Sequence, residues 1–293
     1  MKMSWSKKGE WLELLLPEPL ETELDLGNYI RIPVLFLKKL IKSGGVSIKG
    51  SRVRLKLFPN EPLQDMPVWA PLDVLYEDDF CMVVHKTAGM KVHGDGSRKG
   101  SEQTTLADAV AFYYESTGQQ CKVRHIHRLD EDTTGPVLYA KHEWVQLILD
   151  EDMRNKSIQR SYAAIVQGQS ALLSGTIDEP IGKDRHHSAR RRISVTGEWA
   201  VTHYEVAEQL NQAMLVRLRL ETGRTHQIRV HLSHIGFPIW GDSLYGGPTK
   251  GINRQALHGE SLAFEHPLSG ENIIVTAPWP EDFLRLYTAL QKI

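Results

Sequence analysis

Along the chain, apolar residues come in short runs whose period changes from element to element. After Pro33, which suits the first turn of a helix, Val34, Leu35, Leu37, Leu40 and Ile41 supply an apolar face until Gly44 and Gly45 end the run. Val46–Ile48 and Arg52–Leu57 alternate apolar and polar positions around Lys49-Gly50-Ser51, which predicts a small hairpin. Pro59, Pro62, Pro67 and Pro71 follow closely, as in a linker between folded units. The expected division is a small module at 1–60, a linker at 61–70 and a larger unit at 71–293. In the larger unit the pattern predicts strands at Cys81–His85, Pro136–Ala140, Tyr162–Val166, Val201–Val206, Leu215–Leu220, Ala256–Phe264 and Asn272–Thr276. Helices are predicted at Thr105–Ser116, Trp144–Met153, Thr225–Ile235 and Glu281–Leu290. Short turns between neighbouring strands favour a largely antiparallel α+β sheet over a doubly wound parallel one.

With 293 residues, 41% of them hydrophobic and 24% charged, the chain has globular composition. Its longest apolar runs, Trp11–Leu16 and Ile30–Leu37, are far shorter than the roughly 18 residues of a membrane span, and Arg31 interrupts the second. Met1, Lys2, Lys7 and Lys8 bring charge to the N-terminus, but no apolar segment of signal-peptide length follows. Cys81 and Cys121 alone give no disulfide framework. A cytoplasmic protein is expected.

Lysine and arginine total 35 against 36 acidic residues, a net charge of -1. Evenly mixed, that balance would argue against nucleic acid as partner, but it is not evenly mixed. Between Leu26 and Asn60 stand Arg31, Lys38, Lys39, Lys42, Lys49, Arg52, Arg54 and Lys56 with no Asp or Glu. Lys183, Arg185, Arg190, Arg191 and Arg192 form a second cluster, with His186 and His187 among them and Asp184 as the one acid. Each run alone reads equally well as a solvated face. Two in a neutral protein point to a phosphate backbone as partner.

The stretch His125-Ile126-His127-Arg128-Leu129-Asp130-Glu131-Asp132-Thr133-Thr134-Gly135 gathers titratable residues at a turn before an apolar strand. Leu129 draws Asp130 toward the core edge while Glu131 and Asp132 face water; a turn-capping aspartate is the plainer reading. In Thr222–Gly236 a strand ends, Gly223 turns the chain, Thr225 suits an N-cap, and Ile228, Leu232 and Ile235 form a buried stripe. Arg229 borders that stripe, where a guanidinium is favourable only against a carboxylate it grips in bidentate fashion. His125, His127, His226, His231 and His234 invite a metal, but neither HExxH nor paired CxxC spacing is present, and no metal site is expected. Without GxGxxG, a Walker loop or GxSxG, nucleotide-cofactor and serine-nucleophile chemistry lack support.

His127-Arg128-Leu129-Asp130-Glu131-Asp132-Thr133-Thr134-Gly135 resembles the HRLDxxTSG catalytic motif of RluA-type RNA pseudouridine synthases. Arg160–Gly168 resembles the segment carrying that family's active-site tyrosine. Thr222–Leu232, continuing through Gly241-Asp242-Ser243-Leu244-Tyr245-Gly246, resembles the motif whose helix carries its active-site arginine. Leu257-His258, His266-Pro267 and Ala277-Pro278 match its C-terminal pattern, so the likeness covers almost the whole chain after Leu72 in family order. Arg31–Leu57 resembles the later part of an S4 RNA-binding domain, although no first S4 helix is recognisable before Tyr29. Two further departures are Lys86-Thr87-Ala88-Gly89 for the usual Lys-Pro-x-Gly, and Thr134 for the motif serine.

The resemblance implies isomerisation of uridine to pseudouridine without a cofactor. It assigns Asp130 as the catalytic carboxylate, which adds covalently to the nucleotide or abstracts a sugar proton. Arg229 would hold that carboxylate, and Tyr162 would stack on the uracil and assist proton transfer. The target uridine would be flipped out of its stack, with Arg128 filling the vacated position. Lys183, Arg185, Arg190, Arg191 and Arg192, and Lys38, Lys39 and Lys42 of the S4-like module, would meet phosphates. The expected partner is RNA, most commonly large-subunit ribosomal RNA with tRNA next; neither membrane nor nucleotide cofactor is expected, and the chain is expected to act as a monomer. Two rival readings are a glycosidase-like hydrolase pairing Asp130 with Glu131 or Asp132, and an S4-type RNA-binding protein with a scaffold second domain.

Overall fold

The computed structural model describes residues 3–63, 65–94 and 104–291. Met1 and Lys2 of the expected N-terminal module and Gln64 of the expected linker lie outside the described residues. The chain opens on a hairpin, β1 (Ser4–Lys8) and β2 (Trp11–Leu15), followed by a 3-10 turn at Glu23–Asn28, helix α1 (Val34–Lys42) and the hairpin β3 (Val46–Lys49) and β4 (Arg52–Leu55). These strands form one antiparallel sheet in the order β1-β2-β4-β3. A hairpin and a 3-10 turn thus stand ahead of α1 where an S4 domain would carry its first helix. Strand β1 is exposed at all its positions, so it lacks the apolar alternation by which a strand is read from sequence. Helix α1 buries Phe36, Leu37 and Leu40, while Val34 and Leu35, assigned above to its apolar face, point to solvent, Leu35 with 83% of its surface exposed.

Next come β5 (Asp73–Glu77), β6 (Cys81–Lys86), α2 (Leu106–Ser116), β7 (Arg124–His125), β8 (Gly135–Ala140) and α3 (Glu143–Arg154), with the sheet order β5-β6-β8-β7. Then follow β9 (Gln159–Gln167), β10 (Ser174–Asp178), the small hairpin β11 (Ile181–Lys183) and β12 (Arg191–Ile193), β13 (Val201–Gln209), β14 (Ala213–Leu220), α4 (Gln227–His234), β15 (Leu257–Glu265), β16 (Asn272–Thr276) and α5 (Glu281–Leu290). A six-stranded sheet, β10-β13-β14-β9-β15-β16, is the largest layer. All named ladders are antiparallel, and the fold is α+β.

Strands β6 and β8 read as unbroken apolar runs because both of their faces are buried. Met82, Val84, Val137 and Tyr139 pack with α2 and the six-stranded sheet, whereas Cys81, Val83, Leu138 and Ala140 pack with Trp144, Ile148 and Leu149 of α3. The second core also contains Leu12, Leu14, Phe36, Leu37, Val53 and Leu55, so the first sheet and α1 share it with the larger unit. Polar contacts reinforce this. Arg31 grips Asp152 with two hydrogen bonds of 3.0 and 2.5 Å, Lys39 meets Glu143 at 2.7 Å, and Trp144 Nε1 donates to the Arg31 carbonyl at 2.9 Å. Arg54 and Lys56 pair with Glu13 and Glu10. The acid-free run between Leu26 and Asn60 is therefore half neutralised by carboxylates distant in sequence. The proline-rich segment is pinned as well, since both carboxylate oxygens of Glu61 accept from Arg124 Nη2 at 2.7 Å.

Candidate active site

The loop from Ile126 to Thr134 connects β7 to β8, and its backbone is tied down from several directions. Lys86, fully buried at the end of β6, donates to the carbonyls of Thr87, Met90 and Glu131 at 2.8, 2.8 and 2.6 Å. Burial pulls its pKa down to about 7, with the nearby Asp132 and Asp130 opposing the fall. Arg254 donates to the Asp132 carbonyl at 3.1 Å and Gln255 to the Thr133 hydroxyl at 3.2 Å. His258 Nε2 donates to the Ala277 carbonyl, which leaves Nδ1 to accept the Thr134 hydroxyl at 2.7 Å. At this point a parallel bridge, Thr134 to His258, joins the two sheets. Leu129 enters the core as expected, but Glu131 and Asp132 are half-buried rather than turned to water, and Asp132 accepts the Gly89 N–H.

The turn before α4 is built differently from the sequence expectation. Thr225 does not cap the helix; His226 occupies the cap position in a left-handed conformation, φ 59°. Gln227 fastens the turn instead. Its amide donates to the Val201 carbonyl and the Thr202 hydroxyl, and its oxygen accepts from the Thr222 hydroxyl and the Arg224 N–H, all within 3.0 Å. His231 is held between Thr202 and the Glu179 carbonyl. So fixed, α4 presents Arg229 to the cleft.

Arg229 does meet Asp130, through Nη1 at 3.4 Å, but its bidentate fork is elsewhere. Nε and Nη2 grip Asp242 at 2.6 and 2.9 Å. The Asp242 side chain is only 1% exposed against 19% for Asp130. The fork follows burial: a desolvated guanidinium takes the desolvated carboxylate, and Asp130 keeps one long contact and an open side. Tyr162, central in β9 and buried, lines the same cleft as Asp130 and Arg229, together with Arg128, Arg160 and His226. Burial raises the Tyr162 pKa, so the phenol keeps its proton.

Arg128 is exposed at the cleft. Lys183, Arg185, Arg190, Arg191 and Arg192 lie on the β11–β12 hairpin and its turn, and among the described residues none forms an ion pair at the 4 Å limit. Lys38, Lys39 and Lys42 are exposed on α1 and do not line the cleft, with Lys39 already paired to Glu143. Among the described residues no group of three His, Cys, Asp or Glu could hold a metal ion. The histidines have other tasks: His127, held neutral by burial with a pKa of about 3, accepts the Leu138 N–H, and His125 stacks on His93. Sequence reasoning missed Asp242, Lys86, Arg160 and Arg254 as parts of the site. For Lys86 a signal existed, a lysine closing an apolar strand.

A family model for RNA pseudouridylate synthases matches residues 80–234. The uncharacterized RNA pseudouridine synthase YhcT of Bacillus subtilis is 44% identical over 240 residues, 81% of this chain and 78% of that one. The ribosomal large subunit pseudouridine synthase D of Xanthomonas campestris is 41% identical over 261 residues, 83% and 76% of the two chains. Among solved structures, human RNA pseudouridylate synthase domain containing 4 superposes with a TM-score of 0.61 at 25% identity, covering 74% of this chain and 92% of its own. With its fold, its sequence and the three motifs meeting in one cleft all in agreement, this chain belongs to the RNA pseudouridine synthase family.

Proposed function

We propose that this chain converts uridines of large-subunit ribosomal RNA to pseudouridine, with Asp130 as the carboxylate that acts on the target nucleotide. One observation carries the reading: Asp130, Tyr162 and Arg229, from three distant segments, line a single cleft, with Arg229 Nη1 3.4 Å from Asp130. The reaction breaks the N1–C1′ bond, turns the base and forms a C5–C1′ bond. The C5 proton is lost and N1 gains one, so nothing is added and no redox change occurs. Asp130, with one side open to the cleft, is the group free to engage the sugar or base. Tyr162 supports the uracil ring and, with its proton retained, serves proton transfer at C5 or N1.

A base still stacked in RNA cannot offer C1′ and C5 to one carboxylate, so the target is flipped out, and exposed Arg128 fills its place. The β11–β12 hairpin then meets flanking phosphates through Lys183, Arg185, Arg190, Arg191 and Arg192. Lys38 and Lys42, whose charges no neighbouring acid offsets among the described residues, extend that contact from the N-terminal module, 1–60, across the segment 61–70 to the catalytic unit, 71–293. The chain acts as a monomer in this reading, and ribosomal RNA is met in the cytoplasm. The ribosomal target rests on similarity to relatives named for the large ribosomal subunit, such as the Xanthomonas protein.

The test is carbodiimide mapping of pseudouridine in cells lacking the gene, complemented by wild-type or Asp130→Asn protein. Wild type should restore a site in large-subunit RNA and Asp130→Asn should not. A restored site in tRNA alone would move the substrate assignment, and turnover by Asp130→Asn above about a thousandth of wild type, a loss of less than about 4 kcal/mol in transition-state stabilisation, would overturn the role of Asp130.

A further inference from the structure

Tyr245 stands between the basic hairpin and the arginine of the cleft. It ends the 3-10 turn Ser243–Tyr245 that follows Asp242, and it is buried. Its hydroxyl oxygen accepts the main-chain N–H of Arg191 in β12 at 2.9 Å and is hydrogen-bonded at 2.9 Å to Nδ1 of His226. Its ring lies against two guanidinium groups, Arg229 at 5.0 Å from the centroid and Arg190 at 5.5 Å. Ile181, Val230 and Ile193 close a small apolar cluster around it, distinct from the two main cores. His226, at the other end of the hydroxyl bond, keeps a left-handed backbone that a non-glycine residue holds only where its surroundings enforce it.

We propose that Tyr245 is a positioning residue that couples phosphate binding on the β11–β12 hairpin to the placement of Arg229 and His226 in the cleft. The proposal rests on the function proposed above. Besides the packing of Ile181 and Ile193 beside Val230 and the Ile181–Glu198 bridge, the hairpin is tied in by one backbone hydrogen bond and one stacked arginine, and both of these end on Tyr245. The opposite face of this contact is the cleft itself, since Arg229 shares the ring and His226 shares the hydroxyl. A pull on the hairpin by bound phosphates therefore has a direct route to the two cleft side chains through Tyr245. Such a link is a coupling free energy, and it is measured by non-additivity.

Four proteins test it: wild type, Tyr245→Phe, the exposed hairpin pair Arg185→Gln with Arg192→Gln, and the combination. Single-turnover pseudouridine formation is followed at saturating RNA, with affinity measured by titration and folding by thermal melts. Tyr245→Phe keeps the ring and should fold, yet slow the saturated step about tenfold, within the usual range of coupling energies. The hairpin pair should weaken affinity and also slow the saturated step, and the combination should be no slower than its slower parent. Two results would overturn the coupling: hairpin substitutions that change affinity while leaving the saturated rate intact, or slowdowns that multiply in the combination. An active Asp130→Asn protein would instead remove the functional reading, and the coupling with it.

Discussion

Arg229 divides one guanidinium between two carboxylates, and the division sets their roles apart. Asp242, almost wholly buried, neutralises the arginine with two short hydrogen bonds, so Asp130 is not needed to hold that charge and remains available to a substrate. Removing Asp242 should therefore act mainly on stability. Asp242→Ala leaves a buried cation with only the long contact to Asp130 and is expected to cost about 3 to 5 kcal/mol in urea unfolding. Asp130→Asn, which loses one 3.4 Å contact at a partly open position, should cost less than about 1 kcal/mol while abolishing turnover. Equal losses of stability would show that the fork is shared rather than owned by Asp242. That Arg229 needs a bidentate carboxylate was legible in the sequence, from its place beside an apolar stripe. Which carboxylate it takes was not, because Asp130 and Asp242 differ in burial, and burial belongs to the folded chain.

At the scale of elements, the loop carrying Asp130 is set where two sheets approach too closely for any side chain. Gly135 begins β8 at φ 137°, and a Cβ built there would stand 2.7 Å from both Cα and O of Gly259 in β15. The Gly259 N–H donates to the Thr134 carbonyl at 2.7 Å across the same junction. Gly135→Ala must push backbone against backbone, and it is expected to cost about 2 to 3 kcal/mol and to displace Asp130, five residues away. Thermal melts together with turnover check this; an alanine variant with wild-type stability and rate would show that the junction yields. Helix α5 was read at its observed limits, and α2, α3 and α4 within two residues at each end, because amphipathic periodicity survives in a helix with one buried face. Strands β1, β2, β5, β7, β10, β11 and β12 escaped the reading. They are short or lie at sheet edges, with few buried positions to generate an alternating pattern.

Across the whole molecule, distant segments are held together by contacts that neither contributes alone. Asp78, after β5, accepts hydrogen bonds from His266 Nε2, the Tyr76 hydroxyl and the N–H groups of Phe80 and Cys81. Burial would raise its pKa, but these bonds outweigh burial and hold it at about 2 against an ordinary 3.8. The folded pKa is the lower one, so this stabilisation is complete above about pH 4 and is lost as the pH falls toward 2. Asp78→Asn should flatten the fall in unfolding free energy over that window by about 2 kcal/mol, read from denaturant titrations at stepped pH. A variant with an unchanged acid limb would show that another carboxylate dominates. The shared core makes a second prediction. A chain beginning near Pro67 would uncover Phe80, Leu138 and Trp144, an apolar patch of the kind that drives association; size-exclusion chromatography should find it aggregated or expanded, and a well-folded monomer would show the N-terminal module to be separable. The sequence by itself determined the α+β class, the helices with one buried face and the place of the motif loop carrying Asp130, since periodicity and a contiguous motif are local properties. Only the tertiary structure decided that Asp242 takes the Arg229 fork, that Lys86 anchors the loop from beneath, and that carboxylates far along the chain meet Arg31, Lys39, Arg54 and Lys56. A charge takes whichever opposite charge the fold leaves desolvated beside it, and distance along the chain carries no record of that.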